Sequence, residues 1–237
     1  MRLSKLATVA LFALPVLAVW PLMSRGSEPA VQIAAPKLDA AAASASGTQT
    51  AVIAGGCFWG IQAVYQHTKG VKNAVSGYAG GTEKDATYNL VSAGHTRHAE
   101  AVQITFDPRV ISYGQILHIF FSVAHNPTEL NRQGPDVGPQ YRSEIFPQNE
   151  EQAKIARAYV AQLDAAKSFP RPIATKVGSK GAFYAAEAYH QDYALQHPNQ
   201  PYIVINDAPK VENLKRMFPA LYRATPVTVA AASKMSN

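Results

Sequence analysis

From residue 48 onward the apolar positions fall into short blocks that alternate between a period of two and a period of about 3.6. Thr48 to Ala54 ends in Ala-Val-Ile-Ala and reads as a buried strand, broken by Gly55-Gly56. Cys57 to His67 places Ile61, Val64 and Tyr65 at helical spacing, with Gly70 near the end. Val71 to Tyr78 is a second strand, closed by Gly80-Gly81, and Ala99 to Phe106 alternates as a third, ended by Asp107-Pro108. Ser112 caps a helix running to about Ala124, with Ile116, Phe120 and Val123 on one face. Arg142 to Phe146 is a short strand, and Asn149, with Gln152 three residues on, caps a helix to about Lys167. Beyond it the pattern predicts a strand over Ile173–Val177, a helix over Phe183–Gln196, a β-branched strand over Tyr202–Ile205 and a last helix over Lys210–Phe218.

Strands and helices thus mix, which predicts one sheet with helices packed on it, an α+β two-layer domain. Residues 80–98 and 125–141 form two polar stretches longer than ordinary connections, so both are candidate functional loops. The domain is expected over residues 49–225. Ahead of it, residues 1–24 look like an export signal or an uncleaved membrane anchor. Arg2 and Lys5 precede the uncharged run of 18 residues from Leu6 to Met23. Residues 25–48, rich in Ala, Ser and Pro, read as a tether, and residues 226–237 as a flexible tail.

Composition narrows the class. With 47% apolar and only 16% charged residues in 237, the chain can build a core and is not a charged disordered segment. The net charge of +6 is spread thinly, without a Lys/Arg run interleaved with aromatics, so no nucleic-acid partner is expected. A single cysteine excludes an internal disulfide framework, a Cys-rich zinc site and a CxxC redox pair.

That cysteine is the first candidate for chemistry. Cys57 follows a strand and two glycines and opens a helix, whose partial positive charge favours thiolate. The alternative is an inert buried thiol. Phe58 and Trp59 are either core aromatics or the walls of a small apolar pocket. Glu100 shares a strand face with Val102, Ile104 and Phe106. Kept on that face, its carboxyl holds a proton near neutral pH, as a general acid needs; alternatively it turns to solvent or meets an arginine. His95 and His98 with Glu100 do not make a zinc spacing, so no metal is expected, and His190 suits a structural hydrogen bond. Tyr88, Asp136 and Tyr141, in or beside the long loops, are solvated residues or donors to a small polar ligand.

Taken in order, these segments resemble the peptide methionine sulfoxide reductase A family. The resemblance rests on Gly55-Gly56-Cys57-Phe58-Trp59-Gly60, on Gly77-Tyr78-Ala79-Gly80-Gly81, on GHTRHAEAV from Gly94 to Val102 and on QGPDVGPQYRS from Gln133 to Ser143. Tyr184–Tyr193 and His197–Tyr222 fit as well, so it covers about residues 49–225. It implies reduction of the S epimer of methionine sulfoxide, free or in proteins. Cys57 then attacks the sulfoxide sulfur and Glu100 protonates its oxygen. Tyr88 and Tyr141 hold that oxygen, Phe58 and Trp59 pack on the substrate methyl, and Asp136 supports the site. The expected fold is a two-layer α/β sandwich of the ferredoxin-like plait type with long functional loops, working as a monomer. No bound cofactor is implied. Many family members carry resolving cysteines near the C-terminus, but Asn199–Val204 supplies none here. Turnover then needs an external thiol donor: a thioredoxin-like or glutaredoxin-like protein, or glutathione. Exported by its N-terminal segment, the domain is expected in the periplasm, soluble or tethered to the inner membrane. Two rival readings are a Cys-dependent acyl transferase or hydrolase, with His98 or His190 as base, and a non-catalytic module that binds methionine-rich partners.

Overall fold

The computed structural model describes residues 29–40 and 47–235, so the apolar run Leu6–Met23 lies outside the described residues. Among the described residues no helix is long and apolar enough to cross a membrane. In chain order the elements are β1 (Gln49–Gly55), α1 (Phe58–Gln66), β2 (Val71–Ala79), α2 (Tyr88–Ser92), β3 (Ala99–Phe106) and α3 (Tyr113–Ile119), which runs into a π-helical turn over Phe120–Ala124. They continue with β4 (Arg132–Gln133), β5 (Asp136–Val137), β6 (Ser143–Phe146), α4 (Glu150–Ala165), β7 (Lys176–Val177), β8 (Phe183–Ala185) and α5 (Tyr193–Gln196). A second π-helical turn, Ile203–Asp207, leads into α6 (Ala208–Met217), and α7 (Val229–Met235) follows.

Among the described residues six strands form one sheet in the order β7-β6-β1-β3-β2-β8, in which only the β6–β7 pairing is parallel. The hairpin β4–β5 stands apart from it. Alternation along β1 explains the layering. Ala51 and Ile53 face a large core shared with residues of α1, α3, α4 and α6. Val52 and Ala54 face a smaller cluster with Ala99, Ala101 and Phe146, against which Phe183 packs. Helices thus cover one face of the sheet, and the α+β two-layer expectation holds.

Several local expectations give way to tertiary structure. Phe183–Gln196 is not one helix. Its first residues pair with β2 in the register Gly77↔Ala185, and a Cβ at Gly77 would lie 2.3 Å from the Tyr184 carbonyl oxygen. Asp192, in the left-handed region at φ 57°, then separates the turn Ala188–His190 from α5. The β-branched run Tyr202–Ile205 is helical rather than extended: Ile203 is buried while Val204 and Ile205 are exposed, a pattern with no period of two. Of the strand expected over Ile173–Val177 only Lys176–Val177 pairs. The tail contains the helix α7.

Residues 29–40, inside the stretch read as a tether, lie packed on the domain. Ile33 is buried in the main core. The Tyr159 hydroxyl donates to the Ala34 carbonyl at 2.8 Å, and His118 Nε2 donates to the Ile33 carbonyl at 3.0 Å. Asp39 accepts from the Gly114 amide at 2.8 Å and from the Ser112 hydroxyl, so it completes the start of α3 together with the Ser112–Gln115 capping box.

Candidate active site

Cys57 sits between β1 and α1 because two glycines let the chain turn there. Gly56 has φ +94°, which side-chain-bearing residues rarely adopt, and a Cβ on it would stand 2.6 Å from Gln133 Cβ. A Cβ on Gly55 would stand 2.9 Å from His125 Cγ. The long loop 125–141 therefore closes directly on the turn that carries the thiol. Gln133 ties the loop to itself, accepting from the Asn126 amide at 3.0 Å and donating to the Asn126 carbonyl at 2.6 Å. Cys57 is the N-cap residue of α1 and is only 8% exposed.

Glu100 lies on the strand face that the alternation of β3 predicts, with Val102, Ile104 and Phe106, all fully buried. One carboxyl oxygen accepts from the Phe58 amide at 3.1 Å, so the acid is bonded to the residue that follows the thiol. Burial raises its pKa from the ordinary 4.5 to about 8; the Phe58 amide opposes the rise, and the carboxylates of Asp136 and Asp207 add to it. Glu100 is therefore a protonated acid at neutral pH.

The thiol itself departs from expectation. The helix start predicted a lowered pKa, yet burial, and then the charges of Glu100 and Asp207, push the Cys57 thiol up; the Trp59 amide opposes them. Loss of hydration around a nearly enclosed sulfur outweighs the partial charge of one helix end. In this state Cys57 holds its proton.

The remaining sequence candidates converge on the same place. Tyr88 opens α2, with its amide donating to Glu187 at 2.9 Å. Tyr141 closes the turn Pro139–Tyr141. Burial and then the Glu100 charge raise both phenols, and both also feel Cys57 and Asp136. Asp136, in β5, accepts from the Tyr202 hydroxyl. Phe58 is buried, 6.0 Å from the Tyr78 ring and 5.1 Å from His190 between ring centroids. Trp59 stacks on Tyr193 at 3.9 Å and 10°, with the edge of Tyr202 at 6.0 Å. Thiol, acid, two phenols, a carboxyl and an aromatic wall thus share one site.

Glu187 and the pair Asp207–Lys210 escaped the sequence reading, whereas His190 and His98 did not. Glu187 accepts from both the Tyr78 hydroxyl, at 2.8 Å, and the Tyr88 amide, and so sets the position of α2. His190 Nδ1 accepts from Trp59 Nε1 at 3.3 Å, a structural bond of the kind expected of it. His98 is occupied as well: its Nδ1 accepts from the Gly81 amide at 3.2 Å and its Nε2 donates to the Thr82 carbonyl at 2.9 Å. That leaves it no free nitrogen to serve as a base toward Cys57. Asp207 and Lys210 form a buried pair against α1. The one signal for that pair was Gly60, a residue without a side chain in the first turn of a helix.

Known proteins carry the same pattern. Residues 49–221 match the family model described as peptide methionine sulfoxide reductase. A relative from Mesorhizobium japonicum, peptide methionine sulfoxide reductase MsrA 2, is 57% identical over 80% of this chain and 97% of its own. A protein of the same name from Synechocystis is 49% identical over 74% of this chain and 82% of its own. Methionine sulfoxide reductase A of Corynebacterium diphtheriae superposes with a TM-score of 0.56 at 31% identity, covering 74% of this chain and 87% of that one. The reduced form of Mxr1 from Saccharomyces cerevisiae gives 0.58 at 32%, covering 65% and 87%. The turn that carries Cys57, the buried acid bonded beside it and the loops that close over both all fall within the matched residues, and the chain belongs to the peptide methionine sulfoxide reductase family.

Proposed function

We propose that this chain reduces the S epimer of methionine sulfoxide, free or in proteins, and so repairs oxidised polypeptides. The observation that carries the reading is the buried Glu100 carboxyl, raised to a pKa of about 8 by that burial, hydrogen-bonded to the amide that follows the chain's only cysteine. Removing oxygen from a sulfoxide requires that the oxygen be protonated as its sulfur is attacked, and Glu100 supplies that proton. Tyr88 and Tyr141 donate to the same oxygen. The Cys57 proton passes to the carboxylate that Glu100 leaves behind, which makes the thiolate where the substrate has already displaced water. Oxygen ends on the Cys57 sulfur, which loses two electrons, while the methionine sulfur gains them. The products are methionine and a Cys57 sulfenic acid, with Glu100 protonated again. Phe58 and Trp59 enclose the substrate methyl, whose burial is worth about 0.8 kcal/mol. Separate sockets for methyl and oxygen select one epimer. Asp136 holds the loop side of the site through Tyr202.

With one cysteine in the chain, regeneration falls to a thiol from another molecule: a thioredoxin-like or glutaredoxin-like protein, or glutathione. The N-terminal run supports export of the domain. A fusion of residues 1–48 to an export-dependent reporter is expected to be active, and activity confined to the cytoplasm overturns that part. The activity itself is tested with separated sulfoxide epimers and a small dithiol as reductant. Turnover of the S epimer alone is expected; turnover of the R epimer alone, or of neither, overturns the reading.

A further inference from the structure

A second buried acid lies against the first turn of α1. A Cβ at Gly60 would stand 2.1 Å from Asp207 Oδ1 and 2.9 Å from Lys210 Nζ, so the helix backbone rests directly on this pair. Asp207 has no exposed surface and Lys210 is 9% exposed. Lys210 Nζ donates to Asp207 Oδ1 at 3.1 Å, while Asp207 Oδ2 is buried with no hydrogen-bond partner among the described residues. Asp207 closes the π-helical turn that follows Tyr202, and Tyr202 is bonded to Asp136 and set edge-on to Trp59. One short segment therefore touches the thiol's helix, the loop that closes the site and the aromatic wall.

A buried ion pair adds little stability compared with apolar residues of the same volume, and one left with an unpartnered carboxyl oxygen adds less. Its placement suggests a different use. Facing Cys57 are Glu100 from β3, Asp136 from β5, Tyr88 from α2, Tyr141 from the turn before β6, and Tyr202 and Asp207 from the segment before α6. Each of these is neutral or negative. Among the described residues Lys210 places an ammonium in direct contact with this set, at Asp207, and its charge reaches Asp136 as well. We propose that Asp207 and Lys210 are positioning residues of the reaction: the pair seats the first turn of α1 and sets the net charge that Cys57 meets as its proton leaves.

The inference rests on Cys57 as the nucleophile, and its test reads the thiol without any sulfoxide. Because Cys57 is the only cysteine, the rate of its alkylation by iodoacetamide in the full-length protein, followed against pH, reports this one group. Asp207→Asn removes the carboxylate and leaves the ammonium, so the alkylation midpoint falls by about one pH unit, or about tenfold in rate below the midpoint. Lys210→Gln leaves the carboxylate, so the midpoint rises by a similar amount. Lys210→Arg keeps the charge, and the midpoint stays near that of the wild type. The pH profile of sulfoxide reduction is expected to move with the alkylation midpoint in each variant. Midpoints that move the same way in the Asn and Gln variants, or in neither, overturn the proposal. Should Asp207→Asn fail to fold, judged by its circular dichroism, the contrast between Lys210→Gln and Lys210→Arg decides. A wild-type protein that reduces no sulfoxide overturns the reductase reading but leaves the alkylation result to stand or fall separately.

Discussion

Glu100→Gln replaces the buried acid with an amide of the same shape that still accepts the Phe58 hydrogen bond but has no proton to give. The size of the effect follows from the pKa of about 8. At pH 7 such a carboxyl keeps about ten protonated copies for each ionised one, whereas at its ordinary 4.5 about one in three hundred would be protonated. Loss of a positioned general acid costs about 10²–10⁴-fold in rate. The assay is a single turnover with an S-sulfoxide peptide and no reductant, quenched over a pH series, so that thiol regeneration does not enter. The ratio of wild-type to variant rate reports the Glu100 proton below about pH 8, where that carboxyl is neutral; above it the Glu100 charge also holds Cys57 up in the wild type alone, which lowers the ratio further. That ratio should be constant and large below about pH 7 and fall about tenfold by pH 9 as Glu100 ionises. A ratio independent of pH, or a variant within about threefold of wild type, refutes the acid role.

The same burial affects stability. Glu100 is protonated in the folded state up to about pH 8, while in the unfolded chain it ionises near 4.5. Its contribution is thus complete below 4.5 and is lost as pH rises toward 8. Glu100→Gln lacks this loss, so denaturant titrations should show wild type losing a few kcal/mol relative to the variant across that window; parallel curves would argue against a buried neutral acid. Gly56→Ala forces a side chain into a backbone at φ +94° and against Gln133 at 2.6 Å. It should cost about 1–3 kcal/mol and slow the single turnover, whereas full stability and rate would show that the turn is not under this constraint. Asp39→Ala removes the bonds to Ser112 and Gly114 at the start of α3 and should cost about 1–2 kcal/mol in urea unfolding with the reduction rate unchanged. An unaltered midpoint would mean that residues 29–40 do not contribute to the fold in solution.

Part of this site was legible in the chain because strand geometry is periodic. The alternation over Ala99–Phe106 alone put Glu100 among Val102, Ile104 and Phe106, and that is where burial keeps it protonated. The two glycines before Cys57 likewise announced a tight turn. Asp207 and Lys210 were hidden because the β-branched run ahead of them favours a strand by local preference, while burial of Ile203 and the link from Tyr202 to Asp136 accompany a helical turn instead. The direction of the Cys57 shift was hidden for another reason. A helix start can be read from sequence, but the loss of water around a sulfur depends on the loop 125–141 folding back over it. Residues 29–40 bind largely through their backbone carbonyls and amides, as in the bonds to Tyr159, Gln162 and His118, so their composition carried little trace of the attachment.

The most direct test counts product against thiol. Reduced full-length protein is mixed with excess S-sulfoxide and no reductant; methionine is quantified, and the mass at Cys57 is read by spectrometry after trapping with a sulfenic-acid probe. With one cysteine per chain, about one equivalent of methionine should appear, with the probe on Cys57 and turnover restored by an added dithiol protein. Sustained methionine production without an external thiol, or one equivalent formed with Cys57 still reduced, would contradict a mechanism that passes the oxygen to Cys57.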